Sequence, residues 1–257
     1  MRFAAGLVGV VVATSLLLGS AVAAADGSDD QAAAGQVPWT RSIVCPVLYT
    51  HEVVNQALLR RFLAGLLAAG YQPTTLASVN AVMSGSADAP RGCIVLTFDD
   101  GLLSQYLNAL PVLTDMSIPA VFFALPGFND GVHRYMGTAE LQAMANAGLE
   151  VEAHTCNHPN LPRLARLNLS AFFAEVQDCK GILEGITGRS VDYLAYPYGT
   201  YDLTVLDAVS RAGYRAGFTT RMSAVLSYSA PYALPRIHYD LGEPPASVLR
   251  RIRAAGG

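Results

Sequence analysis

The sequence predicts an α/β protein, folded as a distorted (β/α) barrel with about seven parallel strands. Three observations lead there. From residue 43 onward, short apolar runs alternate with longer stretches whose apolar residues recur at helical spacing. Alternation of that kind implies parallel strands joined by crossover helices. Seven strand candidates in one chain of 257 residues favour a sheet that closes, with room for one missing unit.

The elements follow in chain order. Arg2 gives a positive start, residues 3–19 are apolar and uncharged, and Ala21-Val22-Ala23 and Ala23-Ala24-Ala25 both fit a small-residue cleavage site. Residues 1–25 therefore read as a secretory signal peptide, with an uncleaved membrane anchor as the alternative. Residues 26–37 are rich in Ala, Gly, Asp and Gln and read as a linker, leaving 38–257 as one domain. A first strand is expected over 43–48. Leu58, Leu59, Phe62, Leu63, Leu66 and Leu67 define a helix over 56–69, which Gly70 stops. Thr75 is placed to cap a short helix to Met83, and 84–91 is a turn-rich loop. Strand 93–98 is followed by a helix to about residue 115. Strand 120–124 precedes a helix that Thr138 is expected to cap. Strand 150–153, a long helix over 169–185, strand 193–196, helix 203–212, strands 216–219 and 235–238, and a helix over 246–254 complete the pattern.

Bulk properties exclude some functions. The net charge of −3 and the lack of any run of five like charges argue against nucleic acid and against a basic membrane patch. There is no G-x-S-x-G elbow, so a serine hydrolase finds no support. The four cysteines allow three pairings. An exported chain permits disulfides. Cys45 with Cys93 and Cys156 with Cys179 is the preferred set, against the alternative of four buried thiols.

Chemistry concentrates at two strand ends. Thr97-Phe98-Asp99-Asp100-Gly101 closes the run 93–98 and delivers two adjacent carboxylates. Such a pair raises its own pKa values unless a cation separates the two roles. Taken alone, it could cap the following helix. His154-Thr155-Cys156-Asn157-His158-Pro159 follows the strand candidate 150–153. Two histidines four apart plus one aspartate make a facial set of three metal ligands with open positions. His133 lies in a glycine-containing loop and is expected to be solvated.

With these residues in view, the chain resembles the polysaccharide deacetylases with a NodB-homology domain, carbohydrate esterase family 4. The family's T-F-D-D-G is matched in full by Thr97 to Gly101, and its H-[ST]-x-x-H-P by His154 to Pro159. Its R-x-P-[YF]-G is matched in part by Ala195-Tyr196-Pro197-Tyr198-Gly199. The likeness covers roughly 41–240. Val47-Leu48-Tyr49-Thr50-His51 before the first motif and Leu234-Pro235-Arg236-Ile237 near the end resemble the branch of poly-N-acetylglucosamine deacetylases, where the tyrosine and histidine are adjacent; here Thr50 separates them.

The resemblance implies a NodB-type barrel and a set of roles. Asp100, His154 and His158 would bind a divalent metal, most simply zinc. Asp99 would be the base that takes the proton of an attacking water, and the backbone N–H of Tyr198 would meet the oxyanion. The acid for the leaving amine would be His51, with His238 as second choice. The family's arginine that orients the base is replaced by Ala195, and Arg236 is the expected substitute. The late tryptophan motif is missing, since the one tryptophan is Trp39, so Phe218 and Leu234 become candidates for the acetyl-pocket wall. The implied partner is an acetylated glycan: poly-N-acetylglucosamine, peptidoglycan or a chitin-like polymer. Action would be secreted or in the cell envelope, with a membrane involved only if the leader stays uncleaved. An O-acetyl xylan or glycan esterase and an inactive glycan-binding protein are the alternatives.

Overall fold

The computed structural model describes residues 37–128 and 134–257. The leader, most of the linker and His133 lie outside the described residues, which belong to one compact unit. Its elements are β1 (Ile43–Val44), β2 (Val47–Thr50), α1 (Gln56–Ala68), β3 (Gln72–Pro73), α2 (Leu76–Met83), β4 (Cys93–Phe98), α3 (Leu110–Met116), β5 (Val121–Ala124), α4 (Thr138–Asn146), β6 (Glu150–Ala153), α5 (Leu161–Leu167), α6 (Leu169–Phe173), α7 (Cys179–Thr187), β7 (Tyr193–Ala195), α8 (Leu203–Arg211), β8 (Ala216–Phe218), β9 (Val225–Leu226), β10 (Ile237–His238) and α9 (Pro245–Ala254). None of these helices is long and apolar enough to cross a membrane.

Seven strands pair in parallel in the order β10-β2-β4-β5-β6-β7-β8. The sheet curls into a half-barrel, as expected. The remaining gap is spanned by the segment from Leu234 to His238. At one end Leu234 N–H donates to Gly217 O (2.8 Å) and Thr219 N–H to Leu234 O (2.8 Å). At the other end Ile237 pairs with Leu48, His238 pairs with Tyr49, and Tyr239 N–H donates to Tyr49 O (3.0 Å). Arg236 sits in the middle of this strap.

Strand composition explains why the sheet is covered on both faces. All six residues of β4 are buried. Ile94, Leu96 and Phe98 join the layer under the helices, while Cys93 and Val95 join the interior cluster with Val47, Val121, Phe123, Ala195 and Phe218. Period-2 alternation therefore sorts two apolar sets rather than an apolar and a polar one. The helices bury one stripe each. In α1 this is Leu59, Phe62, Leu63 and Leu66, and Asn55 caps the helix by accepting from Ala57 N–H (2.8 Å).

Several local expectations need correction. The single strand expected over 43–48 is two: β1 pairs antiparallel with β9, while β2 enters the main sheet. Pro46 between them carries no N–H, which suits a break in the ladder. Thr75 caps α2 as expected, its Oγ1 accepting from Ser78 N–H (3.0 Å). Thr138, by contrast, is the first residue of α4; the cap is Gly137, whose N–H donates to the Glu140 carboxylate (2.9 Å). Helix α5 and strands β3 and β9 were not foreseen. Cys45 is bonded to Cys93 and Cys156 to Cys179, the preferred pairing. Such cross-links typically stabilise by about 2–4 kcal/mol each.

Candidate active site

The Asp99–Asp100 pair leaves the C-terminal end of β4, and His154 leaves that of β6; both strands run parallel to β5 between them, so both motifs reach one rim. His154 Nε2 and His158 Nε2 each lie 3.6 Å from Asp100 Oδ1. That oxygen is buried and has no hydrogen-bond partner among the described residues. The ligand atoms of the three residues lie within 4.8 Å of one another. An orphaned carboxylate oxygen facing two imidazole nitrogens is what a divalent cation would satisfy, and the donor set suits zinc among others. His154 Nδ1 is 2.7 Å from Ala195 O. Donation there fixes the tautomer and leaves the Nε2 lone pair facing Asp100. Burial holds His154 below the usual histidine range, outweighing the pull of Asp99 and Asp100. It is therefore neutral, as a ligand must be.

Asp99 points the other way, into the barrel. It is 2% exposed, and Arg236, 1% exposed, grips it with two parallel bonds: Nη1 to Oδ1 and Nη2 to Oδ2, both 2.7 Å. Arg236 is itself fixed by Thr219 O (3.1 Å), Thr97 Oγ1 (3.2 Å) and the Tyr49 ring, 4.5 Å below its guanidinium carbon. Burial pushes the Asp99 carboxyl up, but Arg236, helped by His154 and His51, wins and holds it below the ordinary carboxylate range. The contact expected of Arg236 is thus present in space, delivered by the strap that closes the sheet.

His51 follows β2, and its backbone carbonyl accepts from Gln105 Nε2. Its ring lies 6.2 Å from that of His238 and 6.0 Å from that of Tyr49. His238 is more exposed, and its Nε2 is 3.8 Å from Asp240 Oδ1. Tyr198 stands in a tight turn after β7 with φ of 60°, followed by Gly199 at 67°. A Cβ on Gly199 would come within 2.2 Å of Thr220 Oγ1, so only glycine fits there. The Tyr198 ring packs edge-on against His158 at 4.6 Å. Phe218 and Leu234 are buried in the interior cluster with Phe123.

Two polar residues at this rim were missed. Gln105, fully buried, donates from Nε2 to His51 O (2.8 Å) and Asp99 O (2.6 Å). Glu175, also buried, accepts from Cys156 N–H (2.8 Å), Asn157 N–H (3.0 Å) and Asn157 Nδ2 (2.7 Å). A signal existed for both. Gln105 lies four before Ala109 and Glu175 three after Phe172, so each interrupts an apolar helix stripe.

Residues 86–217 match the family model described as polysaccharide deacetylase. The chain is 29% identical over 158 residues to a poly-beta-1,6-N-acetyl-D-glucosamine N-deacetylase of Staphylococcus aureus (strain MRSA252), covering 58% of this chain and 54% of that protein. It spans between half and two thirds of the length of the curated relatives it matches. Among solved structures, the Streptococcus pyogenes deacetylase PplD in complex with acetate superposes with a TM-score of 0.74 at 23% identity, over 82% of this chain and 99% of that one. IcaB from Ammonifex degensii gives 0.71 at 25% identity, over 83% and 97%. These likenesses bear out the resemblance drawn from the two motifs.

Proposed function

Because the chain belongs to the polysaccharide deacetylase family, we propose that it is an exported, metal-dependent hydrolase that removes N-acetyl groups from an amino-sugar polymer, giving acetate and a free amine. One observation carries the reading: a buried carboxylate gripped by Arg236 stands next in sequence to a carboxylate whose free oxygen faces two histidines. One acid is thereby reserved as a base and the other as a ligand.

A zinc ion held by Asp100, His154 and His158 would supply Lewis-acid charge, acidifying a water and polarising the acetyl carbonyl. Asp99 accepts the proton of the attacking water. Arg236 keeps that carboxylate ionised and fixes the direction of its lone pairs. The Tyr198 N–H donates to the developing oxyanion from a turn whose left-handed backbone is already set. His51 donates a proton to the departing amine; it is the less exposed of the two, while His238 turns its Nε2 toward Asp240. Loss of acetyl groups turns a neutral polymer cationic.

The leading substrate is a poly-N-acetylglucosamine, on the strength of the Staphylococcus aureus relative. Export is supported by the two disulfides, which persist in oxidising compartments. The test is acetate release from poly-N-acetylglucosamine oligomers, peptidoglycan fragments and acetylated xylan, with zinc, with chelator, and with Asp99→Asn. Release from the first that needs both zinc and Asp99 is expected. Release only from xylan would make the protein an O-acetyl esterase. Silence from folded, zinc-loaded protein on every substrate would overturn the enzymatic reading in favour of glycan binding.

A further inference from the structure

Two of the three candidate ligand residues adopt a backbone that side-chain-bearing residues seldom take. Asp100 has φ of 75° and His158 of 56°. The third, His154, simply continues the end of β6. Left-handed conformations at such residues are unfavourable and persist only where the surroundings over-determine them.

The His158 N–H donates to Thr155 Oγ1 within its own loop (3.1 Å), and in both cases a π-helical turn adds a brace from outside. One spans Gln105–Ala109 and precedes α3; the other spans Ala174–Asp178 and joins α6 to α7. Leu110 N–H donates to Gln105 O and Cys179 N–H to Ala174 O, the longer closure that a π turn requires. Each of these turns carries a buried polar residue facing the site.

Gln105 acts on Asp100. Its Nε2 donates to Asp99 O, which belongs to the same peptide unit as the Asp100 N–H. Fixing that unit fixes the plane about which the Asp100 backbone turns. The second bond, to His51 O, ties the same amide to the end of β2. Gln105 Oε1 is buried without a partner among the described residues. A side chain that leaves an acceptor unsatisfied to place its donor between two carbonyls is a poor choice for stability alone.

Glu175 acts on His158. It takes both N–H groups of Cys156 and Asn157, the residues leading into that ligand, together with the Asn157 side chain. The Cys156–Cys179 disulfide joins the same loop to the same helix. From the other side Gly127 N–H donates to Cys156 O (3.0 Å), and a Cβ on Gly127 would come within 2.4 Å of Asn157 Oδ1. The loop has no room to relax.

We propose that Gln105 and Glu175 are positioning residues that hold Asp100 and His158 in ligating geometry before an ion arrives, and so set metal affinity. The inference rests on the metal reading above. Ligands that must first be ordered bind more weakly than ligands already in place. Loss of an outer partner of a metal ligand typically costs about 10–100-fold in affinity.

Zinc affinity, by competition with a chromophoric chelator, and the Tm of the zinc-free protein test this together. Gln105→Met and Glu175→Gln keep side-chain volume. Each is expected to weaken zinc by about 10–100-fold. Val248→Ala, a cavity on α9 away from both turns, should lower Tm and leave zinc affinity unchanged. Asn157→Ala, which removes one of the three donors to Glu175, should give a smaller loss of affinity and covers the case in which Glu175→Gln does not fold. Gln105→Ala, which removes the donor and introduces neither a charge nor added bulk, does so for Gln105. Wild-type affinity in a variant whose Tm has fallen would overturn the assignment for that residue. Wild-type protein that holds no zinc in the same competition would overturn the metal reading itself, a separate failure.

Discussion

Asp99 and Glu152 are both acids buried inside the same barrel, and the protein treats them in opposite ways. Asp99 leaves the C-terminal end of β4 and meets the full fork of Arg236. Glu152, 5% exposed, turns to the start of β7, where it accepts from Asp192 N–H and Tyr193 N–H (both 2.8 Å). Burial pushes the Glu152 carboxyl well above its ordinary range; the bond from Tyr193 N–H pulls back, and the like charges of Glu150 and Asp192 push the same way as burial. Asp99 is buried as deeply but sits low, because a cation is bonded to both of its oxygens. Burial alone makes an acid hold its proton, and a paired cation makes it release one. Only the second is ready to act as a base at neutral pH.

The comparison breaks most sharply at Asp99. Asp99→Asn keeps the shape and removes the proton acceptor, so acetate release should fall by about 10³-fold with zinc still bound. Turnover near that of wild type would show that the proton goes elsewhere. Arg236→Ala comes next. It leaves Asp99 buried and unpaired, at a cost of about 3–5 kcal/mol in stability by chemical denaturation. Turnover should fall strongly while bound zinc, measured by metal analysis, changes little. The double variant Asp99→Asn with Arg236→Met should recover most of the lost stability and none of the turnover. A double variant as unstable as Arg236→Ala would mean that the ion pair is not what matters there.

A smaller effect separates His51 from His238, whose rings lie 6.2 Å apart. His51→Ala should lower kcat by about 10²-fold on an amide substrate, and His238→Ala should leave it close to wild type. The reverse order would move the acid to His238. An ester substrate, with its better leaving group, should depend less on either residue.

Much of this was legible in the sequence because strands and candidate ligands leave local marks. The runs 93–98 and 150–153 end directly in the residues they present, so parallel pairing alone brings Asp100, His154 and His158 to one rim. Arg236 was legible only through the gap left by Ala195 and the likeness around Leu234–Ile237. Its partner is set by the strap that crosses from β8 to β2, a long-range feature no local pattern encodes. Gln105 and Glu175 were lost for a different reason. Each sits at the start of a π turn, and its place on an apolar stripe does not say which backbone groups it bonds, since its partners come from loops distant in sequence. The break in 43–48 was hidden by apolar residues on both sides of Pro46, which serve two different sheets.

Glu152 gives the smallest effect and the most specific sign. Its folded pKa is raised, so its contribution to stability is complete below the unfolded carboxylate value of about 4.3 and is lost as pH rises through the folded value. Asp99, being depressed, contributes the other way: its share is complete above the unfolded value and is lost only as pH falls through the folded one. Above about pH 5 the Asp99 share is therefore flat, and the difference reports Glu152 together with its effect on Glu150, whose carboxyl burial also raises. Glu152→Gln mimics the protonated acid at every pH. In zinc-free protein it should melt about 2–4 °C above wild type at alkaline pH, the scale of roughly 1 kcal/mol in a domain of this size, and match it near pH 4.5. Histidines that titrate between those limits do so in both proteins and cancel in the difference. A constant offset across the range would mean that Glu152 is not the group that titrates, and a lower Tm at alkaline pH would mean that its two backbone bonds outweigh the repulsion of Glu150 and Asp192.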